Sequence, residues 1–266
     1  MDCAEKPAAP DARPPGDGPL LVLDGVSPEL TVLLGRPGAA PLARRCPAAG
    51  HAGEALAPLL ADVLAAAGLA PAALAGVASV RGPGSFTGIR VVLATALGLS
   101  LGAGVPMAGL DFLPLLAASA ARAATGASLA ITHARAGQVY VQSFLADGDL
   151  APMGPPEALF LDAALARAAD GAAVGPLWLV GNGAVRHREA FLRVVPLATV
   201  LGPEACTPDP ETALAAARAA TYGFDPVSPL YLRPSDAEEN LATLAAGRGL
   251  SPETAEALLA RAVSRE

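Results

Sequence analysis

Apolar positions along the chain fall into short blocks whose spacing switches between strand and helix periods. Residues 20–24 (LLVLD) form a continuous apolar run that ends in a carboxylate. A turn at Ser27, Pro28 and Glu29 leads into residues 30–34 (LTVLL), which predicts a hairpin, and a weaker third strand is expected around 44–46. Between His51 and Ala67 the apolar residues Ala52, Leu56, Leu59, Leu60, Val63, Leu64 and Ala67 follow a helical period, stopped by Gly68. Residues 77–80 read as a short buried strand, 82–88 as a glycine-rich turn, 89–101 as a second apolar helix and 107–110 as one more strand. This β-β-β-α-β-α-β order fits a mixed sheet with helices packed against it.

A second unit begins near Asp111 with an Ala-rich helix over 113–124. Strands at 129–133 and 139–144 flank a turn at 134–138, and a helix at 162–169, a strand at 177–180 and a helix at 210–221 follow. LYLR at 230–233 closes this unit. The expected division is therefore a disordered leader over 1–18, a first lobe over 19–110, a second and reduced lobe over 111–233, and a tail over 234–266. In that tail Ser251 suits an N-cap and Pro252 a first helical turn.

Composition narrows the functions available. The chain of 266 residues is 53% hydrophobic but only 4% aromatic, and much of the apolar content is alanine. No uninterrupted run reaches the roughly 18 to 20 apolar residues of a spanning helix, and the leader lacks the apolar core of a signal peptide. No membrane partner is expected, and the cytoplasm is the default location. Cys3, Cys46 and Cys206 are odd in number and form no CxxC pair, which argues against a disulfide framework or a zinc ribbon. His51, His133 and His187 make no HExxH pattern, so no metal site is expected. Lys6 is the only lysine, which leaves the folded part without a phosphate-loop or Schiff-base lysine. With a net charge of −7, strong unaided binding to nucleic acid is not expected, although arginines could still form a small local patch.

The distinctive stretch is RGPGSFTGIR, Arg81 to Arg90. Gly82, Gly84 and Gly88 permit unusual backbone conformations, and the turn feeds a helix whose first N–H groups lack partners. Ser85 and Thr87 add hydroxyls and Arg90 a charge about one turn in, so the loop is a candidate anion or nucleotide cradle. The same glycines would equally serve a tight strand-to-helix connection that only needs close packing.

The full string GPGSFTGIR, followed by the Ala/Gly-rich VVLATALGLSLGAGVP, resembles the signature of the TsaB/YeaZ family. LVLD near the start, His51 and Glu54 opening the first long helix, HARAGQVYVQSF, VGNGA at 180–184 and PLYLR near the end resemble further family segments in the family's order. The resemblance covers about residues 20–233. It implies an α/β, two-lobed fold of the actin/hexokinase/Hsp70 type, with one ribonuclease-H-like unit per lobe and the second lobe reduced. It also implies an accessory subunit without catalytic residues or an intrinsic cofactor. Such a subunit pairs with the larger catalytic paralogue TsaD and the ATPase TsaE in threonylcarbamoyl transfer to the tRNA adenosine beside the anticodon. On that reading tRNA is met only through the complex, ATP or ADP would sit at the complex interface, and the isolated subunit could form a homodimer. The partner surface implied comprises His51, Ala52, Glu54, Ala55, Leu59, Ala94, Leu97, Gly98 and Leu101.

Two departures from the family pattern matter. Asp24-Gly25-Val26 stands where a hydroxylated D-T-S or D-T-A would follow the first strand, and His133-Ala134-Arg135 stands for D-A-R. Asp24 reads most simply as a strand-end carboxylate bonded to nearby amides. His133 reads as a hydrogen-bonded loop histidine and Trp178 as core. Arg90 and Arg135 could meet a phosphate or a partner carboxylate. The rival functions are a kinase-like phosphotransferase of the same fold, which would need an acidic pair and phosphate-binding hydroxyls across the cleft, and a peptidase, for which no metal set or Ser-His-Asp order is visible.

Overall fold

All five residues of LLVLD, which form β1 (Leu20–Asp24), are buried, as expected of a central strand covered on both faces. The computed structural model describes residues 16–27, 29–47, 52–122, 125–135, 137–233 and 251. Strand β1 pairs antiparallel with β2 (Glu29–Gly35), which pairs antiparallel with β3 (Leu42–Pro47). On its other side β1 runs parallel to β4 (Gly76–Gly82), and β4 parallel to β5 (Met107–Asp111), giving the order β3-β2-β1-β4-β5. Leu21, Leu23 and Val77 on one face pack into a core with Leu56 and Val63 of α1 (Ala52–Ala67) and Val92 and Ala96 of α2 (Phe86–Ala103).

The second sheet repeats this plan. Its first strand, β6 (Gly126–Arg135), pairs antiparallel with β7 (Gln138–Asp147). The third position is divided between β8 (Asp149–Pro152) and β9 (Glu157–Phe160), both antiparallel to β7. On the other side β6 runs parallel to β10 (Leu177–Val180), and β10 to the two-residue β11 (Thr199–Val200). Both sheets thus have a meander of antiparallel strands joined to parallel strands in the 3-2-1-4-5 order, which is the ribonuclease-H-like arrangement expected for each lobe of the actin/hexokinase/Hsp70 type. Helices α3 (Phe112–Ala121), α4 (Leu161–Ala173), the short α5 (Asn182–Arg186) and α6 (Arg188–Val194), and α7 (Pro210–Ala219) complete the described part.

Several expectations need correction. Helix α2 begins at Phe86, three residues before the expected start, because the Ser85 hydroxyl accepts from Gly88 N–H and caps it. Thr87 and Gly88 are therefore helical. The same helix is long and apolar enough to cross a membrane by length and composition, with a mean hydropathy of 1.6 over 18 residues. Its glycines, serine and threonine interrupt the run of large apolar letters without lowering the mean much. Ile89, Val92 and Ala96 are wholly buried along one side, so it is a sheet-packed helix. Strands β8, β9 and β11 and helices α5 and α6 were not expected. They are two to seven residues long, too short to show a period.

The chain divides into two units, Met1–Leu230 and Tyr231–Glu266. In the second, residues 231–233 and 251 are described and carry no helix or strand. The leader over 1–15, His51 and nearly all of the expected tail helix lie outside the described residues.

Candidate functional site

The site grows from the ends of parallel strands, where each lobe's first strand meets the helix that follows its fourth. In the first lobe β1 ends at Asp24, whose carboxylate turns back on its own loop. Oδ1 accepts from Val26 N–H at 2.8 Å and Ser27 N–H at 3.2 Å, and Oδ2 accepts from the Ser27 hydroxyl. This matches the expected strand-end role. Burial pushes the Asp24 carboxyl above its ordinary range, outweighing the hydrogen bonds of Ser27 and Val26 and the charge of Arg45. A raised carboxylate pKa means that the stabilisation is complete below the unfolded value of about 3.9 and is lost as pH rises through the folded value. We expect Asp24→Asn, which keeps an acceptor for both amides and stays neutral, to match or exceed the wild type in urea unfolding at pH 7. Asp24→Ala leaves two buried N–H groups and a hydroxyl unmatched and should lose about 2–4 kcal/mol. Equal stability of the two variants would show that the turn does not depend on these bonds.

The glycine loop above Asp24 is filled by protein. A Cβ on Gly88 would lie 1.8 Å from the carbonyl oxygen of Gly25, so the two backbones touch directly. A Cβ on Gly84 would meet Val26 at 2.4 Å. Gly82, at φ +119°, passes under Leu230, whose N–H donates to Arg81 O at 2.7 Å. The three glycines of the proposed cradle therefore face neighbouring chain. Ser85, Thr87 and Arg90 face outward, and the Arg90 guanidinium lies 4.0 Å over the Phe86 ring.

Between the sheets lies a cleft of about 350 Å³ lined by Arg45, Ser119, Trp178, Glu204, Thr207 and Asp209, among others. A smaller cavity that reaches Asp24 and Thr31 shares Arg45 and Thr207 with it. Several polar groups of the larger cleft are engaged within the protein. Asp209 Oδ1 accepts from Arg122 at 3.0 Å and from Thr212 N–H, capping α7. Glu204 Oε1 accepts from Gly202 N–H. Ser119 Oγ donates to Leu115 O and accepts from Asp209 N–H. Trp178, expected in the core, is only half-buried at this cleft, where its indole N–H donates to Thr125 O.

In the second lobe Asn182, first residue of α5, straps the end of β6. Its Oδ1 accepts from His133 N–H at 2.7 Å and from the Thr132 hydroxyl at 2.8 Å. Gly181 and Gly183 allow the approach, since a Cβ on either would stand within 3 Å of Ile131. His133 thus sits on a strand rather than in a loop, and its ring Nδ1 is shielded from solvent with no hydrogen-bond partner among the described residues. The role of Asn182 was not read from the sequence. An asparagine between two glycines, directly after an apolar strand, was the available signal.

The residues expected at a partner surface differ in exposure. Glu54, Ala94, Gly98 and Leu101 are exposed, while Ala55, Leu59 and Leu97 are half-buried. Ala52 is corrected: at 5% exposure it faces the protein's own core, one turn before Leu56 on the inner side of α1. Along α2, Phe86, Arg90, Ala94, Gly98 and Gly102 recur every four residues and are all exposed, with Leu101 beside them at 79%. They form one continuous outward stripe.

The family model described as "TsaD: tRNA N6-adenosine threonylcarbamoyltransferase" matches residues 47–155, which span α1, the glycine loop and α2. Over 92 residues, 34% of this chain, the sequence is 40% identical to the tRNA threonylcarbamoyladenosine biosynthesis protein TsaB of Escherichia coli (strain K12). Over this stretch the chain is similar to the TsaB/YeaZ family. Among solved structures, YeaZ from Pseudomonas aeruginosa shares the fold with a TM-score of 0.63 and 23% identity, covering 81% of this chain and all of that one. A tRNA N6-adenosine threonylcarbamoyltransferase of Maricaulis maris (strain MCS10) is 47% identical over 66 residues, 25% of this chain. The matched stretches span 39% of the curated TsaB and 17% of the transferase. The glycines of the loop are explained by packing against residues 25–26 and 230.

Proposed function

We propose that this TsaB/YeaZ-family protein is a non-catalytic, cytoplasmic partner subunit in the synthesis of threonylcarbamoyladenosine in tRNA. It would dock through α1 and α2 onto a TsaD-type catalytic paralogue, with a TsaE-type ATPase joining them. The observation that carries the reading is the α2 stripe, an exposed helix face of small and apolar side chains interrupted only by Arg90. On a helix already packed against its sheet, a second apolar side fits burial against another protein. Nucleotide at the complex interface and tRNA contact through the complex follow from the same reading.

The rival phosphotransferase would need Asp24 to hold a metal-bound nucleotide. Its oxygens instead receive Val26, Ser27 N–H and the Ser27 hydroxyl, and the helix start beside it is occupied by Gly25. We expect the purified chain to hydrolyse ATP at the rate of a no-enzyme control, and tRNA modification by TsaD and TsaE to depend on adding it. Robust ATP turnover by the chain on its own, abolished in Asp24→Ala, would establish the kinase-like reading instead.

A further inference from the structure

The cleft of about 350 Å³ between the sheets is lined by opposite charges that do not meet. Arg45 is exposed in its wall and forms no ion pair or hydrogen bond among the described residues. Glu204 stands in the same wall, where Oε1 accepts from Gly202 N–H at 3.1 Å and the other oxygen has no partner among the described residues. The third charge of the cleft, Asp209, is already neutralised by Arg122 at 3.0 Å. One cation and one anion therefore remain, too far apart to form an ion pair with each other.

The strands fix where Arg45 is rooted. Thr31 of β2 lies directly opposite Arg45 of β3, and Asp24 of β1 directly opposite Thr31. The three side chains thus form a row on one face of the first sheet. Helices α1 and α2 pack on the alternate positions Leu21, Leu23 and Val32, so the row belongs to the opposite face. Its inner end, Asp24, is buried, and its outer end, Arg45, joins the small cavity at Asp24 to the cleft.

The rest of the wall sets the kind of ligand. Trp178 spends its indole N–H on Thr125 O at 3.1 Å, so what it has left for the cleft is ring surface. Leu201 and Pro208 add apolar wall, and the Thr207 hydroxyl has no partner among the described residues. Apolar walls with a few convergent polar groups are the usual form of a small-molecule site. A simple anion on Arg45 would share the cleft with the like charge of Glu204, and a simple cation on Glu204 would share it with Arg45. A molecule that carries both charges satisfies both.

We propose that this cleft binds a small zwitterion of the α-amino acid class, its carboxylate on Arg45, its ammonium on Glu204 and its side chain against Trp178. The site lies on the far face of the first sheet from α1 and α2, so it stands or falls separately from docking through them.

Trp178 is the only tryptophan in the chain, so its fluorescence reports on this cleft alone. The full chain at pH 7 is titrated with each standard amino acid in turn, the aromatic ones being followed by calorimetry. The expected result is saturable binding of at least one of them. Arg45→Gln and Glu204→Gln, the second of which keeps an acceptor for Gly202 N–H, should each weaken it about tenfold or more, the scale of a lost charge-assisted hydrogen bond. Circular dichroism checks that both variants are folded. A comparison that needs no variant uses the bound amino acid's des-amino acid and its decarboxylated amine, each expected to bind about tenfold more weakly or worse. Absence of saturable binding by every amino acid overturns the site, as does unchanged affinity in either folded variant. A des-amino acid that binds as tightly as the amino acid, or AMP that binds the cleft more tightly, overturns the zwitterion.

Discussion

Ala94→Arg is expected to abolish co-purification with a TsaD-type partner while leaving the fold intact. Ala94 is exposed at the middle of the α2 stripe, one turn from both Arg90 and Gly98, so an arginine there has open solvent in the free protein. Arginine is also nearly as good a helix former as alanine. The circular dichroism spectrum and Tm should therefore stay within about 1 kcal/mol of wild type, as for most surface changes. In a complex the same side chain would have to lie against the partner without a designed counter-charge. Truncating or misplacing a buried interfacial charge shifts binding by roughly 2–5 kcal/mol, or about 30-fold to several thousandfold in Kd. The measurement is a titration of purified partner against wild type and variant. Unchanged affinity would place the interface on another face. Leu101, at 79% exposure, is outside the helix's inner contacts and gives a second probe on the same side.

Gly88→Ala should produce the largest loss of stability of any single methyl added to α2. The new Cβ would begin 1.8 Å from Gly25 O and 2.8 Å from Gly25 C, well inside contact distance, and both obstacles are main chain. Relief requires shifting either the β1 loop that holds Asp24 or the first turn of α2. Ile89 and Val92, fully buried, lock that turn to the sheet. Overpacking costs about 1–3 kcal/mol where side chains can adjust; here we expect the upper end or beyond, read as a Tm lowered by roughly 5–10 °C. Gly98→Ala is the matched control. No described residue lies within 4 Å of a Cβ there, so the better helix propensity should raise stability by about 0.5–1 kcal/mol. Equal effects at the two positions would show that the Gly25–Gly88 contact is looser than its geometry.

These contrasts mark how far the sequence could be read. The strands β1, β2 and β10 were legible because they are largely buried and therefore apolar at most positions, and β4 by its short apolar centre around Val77 and Val80. The family signature was legible in GPGSFTGIR, and Asp24 was read correctly as a turn carboxylate. The edges were not legible. Strand β8 has exposed residues at three of its four positions and carries no alternation. The partner of Gly88 could not be foreseen, because Gly25 lies 63 positions earlier and is brought to it only by the parallel pairing of β1 and β4. Gly25 was read as a lost hydroxyl, whereas its lack of a side chain is what lets α2 approach. Ala52 shows the converse error: in an Ala-rich helix the letters do not say which alanine faces inward.

The composition of the α2 stripe bears on the entropy of association. Immobilising a long side chain on binding costs up to about 1.5–2 kcal/mol in lost rotamers, whereas alanine and glycine have none to lose. Ala94, Gly98 and Gly102 are of that kind, on a helix whose first turn is pinned by a contact between two main chains. If this face docks, little of it would have to be ordered on encounter. Recognition through it would then rest on shape, because a facing surface that fits Ala94 and Gly98 closely would be held off by any added bulk at those two positions.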